Sequence, residues 1–247
     1  MRISLFVTCI NNALYPSTGR AVVTVLERLG HEVTFVESQT CCGQMHLNAG
    51  YRQEGLSLAR SIIGSFVGTD ALVIPSGSCA ATMRHLWSDV ADDEGDSGLA
   101  AEAAAFAPHV FEFTELLVDV LGVTDVGAIF PHTVTYHPTC HSLRALRVGD
   151  RPLQLLRKVK GLELIELPAE ESCCGFGGLF SVKNADTSAA MGVDKVANVV
   201  ASGAQYLCAS DNSCLTHIGG LADRSRRGRV QFETIHLAEI LASDGSR

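Results

Sequence analysis

The chain has 247 residues, 47% of them hydrophobic, enough for one large core or for two domains of about 120 residues. Its 19 Lys and Arg against 27 Asp and Glu leave a formal charge of −8, which argues against the basic face that general nucleic-acid binding needs. The longest apolar runs, residues 71–75 and 116–121, fall far short of the ~20 residues of a membrane span, and residues 1–10 lack the features of a signal peptide. The expectation is a cytoplasmic protein that meets a membrane only through partners.

Residues 3–7 read as a strand leading to Cys9. Ser17 or Thr18 can cap a helix carrying Val22, Val23, Val25, Leu26 and Leu29, which Gly30 ends. A second strand over 31–36 leads to Cys41-Cys42-Gly43. Residues 56–66 are helical, Gly68 stops them, and a buried strand over 71–75 leads to Cys79. The acidic, glycine-bearing stretch 89–97 reads as an exposed loop, and a domain boundary is expected near Gly122 to Gly127.

The same order then recurs. A strand over 133–136 leads to Cys140, a helix over 153–159 and a strand over 162–167 lead to Cys173-Cys174-Gly175, and a helix over 194–201 stops at Gly203. A strand over 206–209 then leads to Cys214. The first cysteine precedes the pair by 32 residues in one copy and 33 in the other, and the pair precedes the last by 37 and 40. Gly68 to Cys79 aligns without gaps on Gly203 to Cys214, and Phe113-Thr114-Glu115 and Glu233-Thr234-Ile235 each open a closing helix. Strands alternating with helices imply parallel sheets. The expected fold is α/β: two small doubly wound parallel-sheet domains, residues 1–125 and 126–247, related by a pseudo-twofold internal repeat.

Nine cysteines in a reducing compartment point to metal or redox chemistry rather than disulfides. Eight of them, Cys9, Cys41, Cys42 and Cys79, then Cys140, Cys173, Cys174 and Cys214, fall at or just beyond the carboxyl ends of expected strands. Those ends converge on one rim of a parallel sheet, so ligands 30 to 40 residues apart can meet there. Thiolates suit iron and zinc alike, so iron–sulfur clusters and structural zinc both stand as readings. A vicinal disulfide in each pair would be strained. The glycine-rich run at Cys173 to Gly178 lacks the Lys-Ser/Thr ending of a phosphate loop. Cys208 aligns with Val73 in mid-strand and reads as core. His137 and His141 flank Cys140, and His217 follows Cys214. Each can serve a site, but structural roles are the commoner outcome, as for His31, His236, Gln44 and Glu171.

The doubled Cys, Cys-Cys-Gly, x-x-Cys pattern resembles the cysteine-rich CCG-domain family. The match includes Ser172 to Gly178, Phe180-Ser-Val-Lys183 and Asp211-Asn-Ser-Cys-Leu-Thr-His217, and covers nearly the whole chain. The family includes subunits of heterodisulfide reductases and of glycolate- and glycerol-3-phosphate-oxidising systems, and the likeness is strongest to its lactate-utilising members. The resemblance implies up to two iron–sulfur clusters, [4Fe–4S] in type, with zinc an alternative at one site. It further implies electron transfer in an L-lactate-oxidising complex beside other subunits, including a ferredoxin-like iron–sulfur subunit. A heterodisulfide-reductase-like or glycolate-oxidase-like oxidoreductase subunit and a zinc scaffold are the rival readings. The chain carries neither a dinucleotide fingerprint after its first strand nor a tight ferredoxin cysteine run, so hydride chemistry belongs to partners. The fullest family pattern ends in Cys-x-x-Cys. Here Ser76 and Asp211 take the first of those places, leaving four thiols per set, with Asp211 a candidate oxygen ligand and Ser76 a weaker one.

Overall fold

A computed structural model describes residues 1–225 and 232–246 and divides the chain into two compact units, Met1–Gly122 and Val123–Arg247. The first unit runs β1 (Ile3–Leu5), α1 (Cys9–Leu14), α2 (Pro16–Arg28), β2 (Val33–Phe35), α3 (Gln44–Asn48), α4 (Arg52–Ser65), β3 (Ala71–Ile74), α5 (Gly77–Ala81), α6 (Trp87–Asp93), α7 (Ser97–Phe106), β4 (Val110–Glu112) and α8 (Phe113–Glu115). The second runs β5 (Thr133–Tyr136), a wide helical turn His141–Leu146, α9 (Arg151–Leu156), β6 (Glu163–Ile165), α10 (Phe180–Lys183), α11 (Ala185–Ser202), β7 (Tyr206–Ala209), α12 (Asn212–Ser225), β8 (Glu233–His236) and α13 (Leu237–Ala242).

Each unit holds one four-stranded, wholly parallel sheet, ordered β2-β1-β3-β4 and β6-β5-β7-β8. The registers correspond: Leu5 lies opposite Val73 and Leu72 opposite Val110, while Tyr136 lies opposite Cys208 and Leu207 opposite Thr234. Every residue of β3 is buried, as its unbroken apolar run requires of an inner parallel strand, whereas β2 is a three-residue edge with Phe35 open to solvent. Phe6, Trp87 and Phe113 are fully buried in the first unit. In the second, Leu207, Ala209, Val199, Leu215 and Ile218 pack in one apolar cluster with Cys174 and Cys214. No helix among the described residues is long and apolar enough to cross a membrane.

Three local expectations are corrected. The first long helix starts at Pro16, with Tyr15 as its cap, because proline is preorganised for a first helical position and has no N–H to lose; Ser17 and Thr18 lie inside. Residues 89–93 end α6 and Ser97 starts α7, so only a short turn at Glu94 to Asp96 is irregular. Val90 and Ala91 face inward at helical spacing beneath the acidic surface. Glu233–His236 is a strand rather than the start of a helix, and each sheet gains a fourth strand that the alignment of the two tails had hidden. In the structure Phe113 corresponds to Leu237, and Glu112 and His236 correspond as the helix caps.

Candidate metal centres

In a 2-1-3-4 parallel sheet the chain leaves β1 in one direction and returns on its other side as β3. The carboxyl ends of β1 and β3 therefore open a crevice, the usual ligand site of such sheets. Cys9 is the first residue of α1 after β1, and Cys79 lies in the first turn of α5 after β3. Cys41 and Cys42 arrive from the loop after β2. Cys140, Cys214 and the Cys173-Cys174 pair repeat these positions after β5, β7 and β6.

The structure brings each set together. In the first unit the sulfurs touch in series, Cys9 to Cys41 to Cys42 to Cys79, the last two 3.2 Å apart. In the second the series is Cys140 to Cys173 to Cys174 to Cys214. All are free thiols, and both series grade inward from an outer sulfur to two buried ones. The crowding splits their acidities. Cys42 and Cys9 donate to Cys41 and pull it down to about 2, while Cys9, as donor to Cys41, is pushed up. Cys140 and Cys174 do the same to Cys173, also to about 2. Cys42 and Cys174 rise through sharing protons with their neighbours and through burial. Four touching sulfurs cannot all become thiolates without a cation to hold them, so each set has the donor chemistry of a metal or metal–sulfur centre.

Backbone N–H groups complete both nests. Ile10 donates to Cys9, Gly43 to Cys41 and Phe176 to Cys174, and Gly175 N lies 3.3 Å from Cys173 Sγ. Gly43 and Gly175 hold φ of +79° and +87°, a left-handed turn that lets the N–H point back at sulfur. Trp87 Nε1 donates to the Cys42 carbonyl at 3.0 Å and so ties the first pair to α6. In the second unit Ser188 Oγ donates to the Gly175 carbonyl at 2.7 Å. His217 Nε2 lies 3.3 Å from Ser188 and its ring meets Phe176 edge-on, which makes His217 a support for the loop.

The remaining candidates separate by position. Ser76 caps α5, accepting from Cys79 N at 3.3 Å. Asp211 is buried beside Cys214, whose ionisation its charge opposes, and its Oδ2 accepts from the Thr139 hydroxyl at 3.0 Å. Among the described residues, His137, Cys174 and Cys214 form the group whose ligand atoms all lie within 4.8 Å of one another, and Asp211 is outside it. His236 caps α13 through Nδ1, Gln44 starts α3, and Glu171 contributes a backbone carbonyl to Arg144. His141 opens the helical turn after Cys140, and His31 precedes β2.

Cys208 lies wholly buried in β7, its thiol pushed up by burial, apart from both series. Cys208→Ser is expected to leave iron and sulfide content unchanged while costing about 1–3 kcal/mol for a hydroxyl in an apolar strand. Metal analysis beside a urea melt checks this, and loss of metal would place Cys208 in a site.

Lys195 was not legible in the sequence, where it reads as one more polar residue of a surface helix. It is fully buried, and Nζ donates at 3.0 Å to the carbonyls of Ala169 and Glu170, just ahead of the Cys173-Cys174 pair. Burial pulls its ammonium below the ordinary lysine value, and the charges of Cys174, Cys140, Cys173 and Cys214 oppose that pull. The equivalent place in α4, counted back from Gly68 and Gly203, is Arg60, which is exposed and paired with Asp96. Lys195→Met is expected to cost about 2 kcal/mol through the two stranded carbonyls and to weaken metal retention at the second site alone. Iron release under a chelator, followed at each site's spectral signal, checks it; equal loss from both sites would refute it.

The cysteine-rich CCG domain model matches residues 3–84 and 134–219, two copies that contain both cysteine series. The chain is 42% identical over 244 residues to lactate utilization protein A of Oceanobacillus iheyensis, covering 98% of this chain and 96% of that one. It is 44% identical to the protein of that name from Geobacillus kaustophilus, covering 98% of both chains, and 45% identical to that of Exiguobacterium sp., covering 97% and 96%. A crystal structure of a hypothetical protein from Helicobacter pylori shares the fold at a TM-score of 0.60 and 13% identity, this chain spanning about half of it (49%). With the motif doubled in sequence, both sets of thiols assembled and the match running through both units, the chain belongs to the cysteine-rich CCG-domain family, alongside the lactate utilization A proteins.

Proposed function

We propose that the protein is an iron–sulfur electron-transfer subunit of an L-lactate-oxidising system, with one cluster in each unit. The observation that carries the reading is the pair of matched four-thiol series, each gathered at the switch point of its own sheet. Full-length similarity to lactate utilization A proteins supports lactate as the upstream substrate. Conversion of lactate to pyruvate releases two electrons and two protons. The proposed partners carry out that chemistry, a ferredoxin-like subunit among them.

Four thiols suffice for a [4Fe–4S] cluster. When bound, each cluster accepts and releases one electron. The chain's own residues do the rest. The cysteines anchor the metal, and the N–H groups of Ile10, Gly43, Gly175 and Phe176 lie on sulfur, where such bonds favour the reduced state. Lys195 Nζ, held by the Ala169 and Glu170 carbonyls, braces the chain just ahead of the second pair.

Anaerobic purification followed by iron, sulfide and zinc counts tests the reading. About eight iron and eight sulfide per chain, with EPR signals on reduction, is the expected result. A colourless protein with zinc and no sulfide would replace it with a zinc scaffold. Mixing with the lactate-oxidising partner subunits should bleach the visible absorbance on addition of L-lactate; bleaching by glycolate instead would move the chain to a glycolate system.

A further inference from the structure

The two centres differ at one place. Phe6 and His137 each stand three residues before the first cysteine of their set. Each hangs from the neighbouring inner strand by the same backbone bond, Phe6 N to the Val73 carbonyl at 3.0 Å and His137 N to the Cys208 carbonyl at 2.8 Å. Both side chains are fully buried. In the first unit that side chain is a benzene ring against Phe66, their centroids 6.2 Å apart. In the second it is an imidazole.

A buried imidazole normally satisfies its ring nitrogens, because an unmade hydrogen bond in the interior costs about 1–3 kcal/mol. Both His137 nitrogens are buried, and among the described residues the polar neighbour the ring meets is the Cys214 thiol, a weak partner for an imidazole. A ring nitrogen instead lies within 4.8 Å of both the Cys174 and Cys214 sulfurs, which lie equally near one another. Metal–sulfur and metal–nitrogen bonds of about 2.3 and 2.0–2.1 Å reach across a span of that order. An iron at this corner of the set would bond the imidazole in place of that weak thiol contact. The repeat shows that the position does not need a polar group to fold, since Phe6 fills it in the first unit.

We infer that His137 is a metal ligand of the second centre, which makes that centre a mixed cysteine–histidine site and the first an all-cysteine one. The inference rests on the iron–sulfur reading above. On a cluster whose four irons each take one protein ligand, His137 displaces one thiolate of the set as a ligand, so the second centre carries one negative charge fewer than the first. That difference pushes the second cluster's reduction potential above that of the first.

The test uses full-length protein purified anaerobically with ¹⁵N-labelled histidine. Iron and sulfide are counted, and pulsed EPR and a redox titration are run on the wild type and on His137→Phe, the residue the first unit itself carries. The expected result is a directly bonded histidine-nitrogen coupling on one of the two cluster signals. In His137→Phe it disappears, that signal's midpoint potential falls, and the other signal is unmoved. If His137→Phe fails to fold by circular dichroism, His137→Asn carries the same comparison. His46→Phe serves as a control, since His46 stands near Cys41 in the first unit. Clusters present without a bonded nitrogen coupling, or a coupling that survives His137→Phe and vanishes in His46→Phe, would overturn the inference and leave the electron-transfer reading standing. Absence of iron and sulfide would overturn both.

Discussion

Cys174→Ser is expected to remove one cluster and leave the other: iron and sulfide fall by about half, one EPR signal disappears, and the second persists unchanged. Cys174 is the buried centre of its series, in contact with Cys173 on one side and Cys214 on the other. No other sulfur in the second unit can replace it, because Cys208 is held in mid-strand. The apo protein should lose only about 1–2 kcal/mol, the cost of a hydroxyl among Leu167, Val196 and Ile218. Cys42→Ser should give the mirror result, losing the other signal. Iron counts and EPR on the two variants decide the matter. If either serine removes all iron, the eight cysteines serve one shared centre and the two-set reading is wrong.

The second large effect is expected at Gly175. Its φ of +87° costs an L-residue about 1–2 kcal/mol. A Cβ there would lie 2.5 Å from the Ser188 carbonyl oxygen, a backbone atom of α11 that cannot swing aside. Gly203 offers a matched comparison, with φ of +72° and nothing within 4 Å of an added Cβ. Gly203→Ala should therefore cost about 1 kcal/mol and keep all its metal. Gly175→Ala should cost about 3 kcal/mol or more and lose the second cluster, because relieving the clash swings the Cys173-Cys174 pair away from Cys140 and Cys214. Urea melts with iron counts on both variants check this. Equal penalties and retained iron in Gly175→Ala would show that the loop yields without disturbing its sulfurs.

The repeat made much of this legible in advance. Gly68 to Cys79 laid on Gly203 to Cys214 aligned the inner strands residue for residue, and it set Cys208 against Val73 as core. What escaped were features set by contacts distant in sequence. The fourth strands are short, and β4 ends on the glutamate that caps α8, so the helix opening at Phe113 was legible and the strand before it was not. Lys195 looks like an ordinary helical lysine until the chain folds over it. His137 was visible as a neighbour of Cys140, but one histidine beside a cysteine is weak evidence. The stronger signal lies in matching the first cysteines of the two sets, Cys9 and Cys140, which puts His137 against Phe6. A polar residue facing an aromatic one at equivalent core positions marks where two copies of one plan have diverged.

The three cysteine-bearing loops of each unit also have a mechanical consequence. Each centre joins segments more than 30 residues apart in the chain, so a bound cluster acts as a cross-link across the rim of its sheet. The cores beneath are filled by Leu72, Val73 and Phe113 in one unit and by Leu207, Ala209 and Ile218 in the other, none of which offers a metal-ligating atom. Oxidative loss of a cluster should then release the loops while the strands stay paired. Such an apoprotein would keep its sheets and be ready for reloading, rather than unfold as a domain built around its metal does.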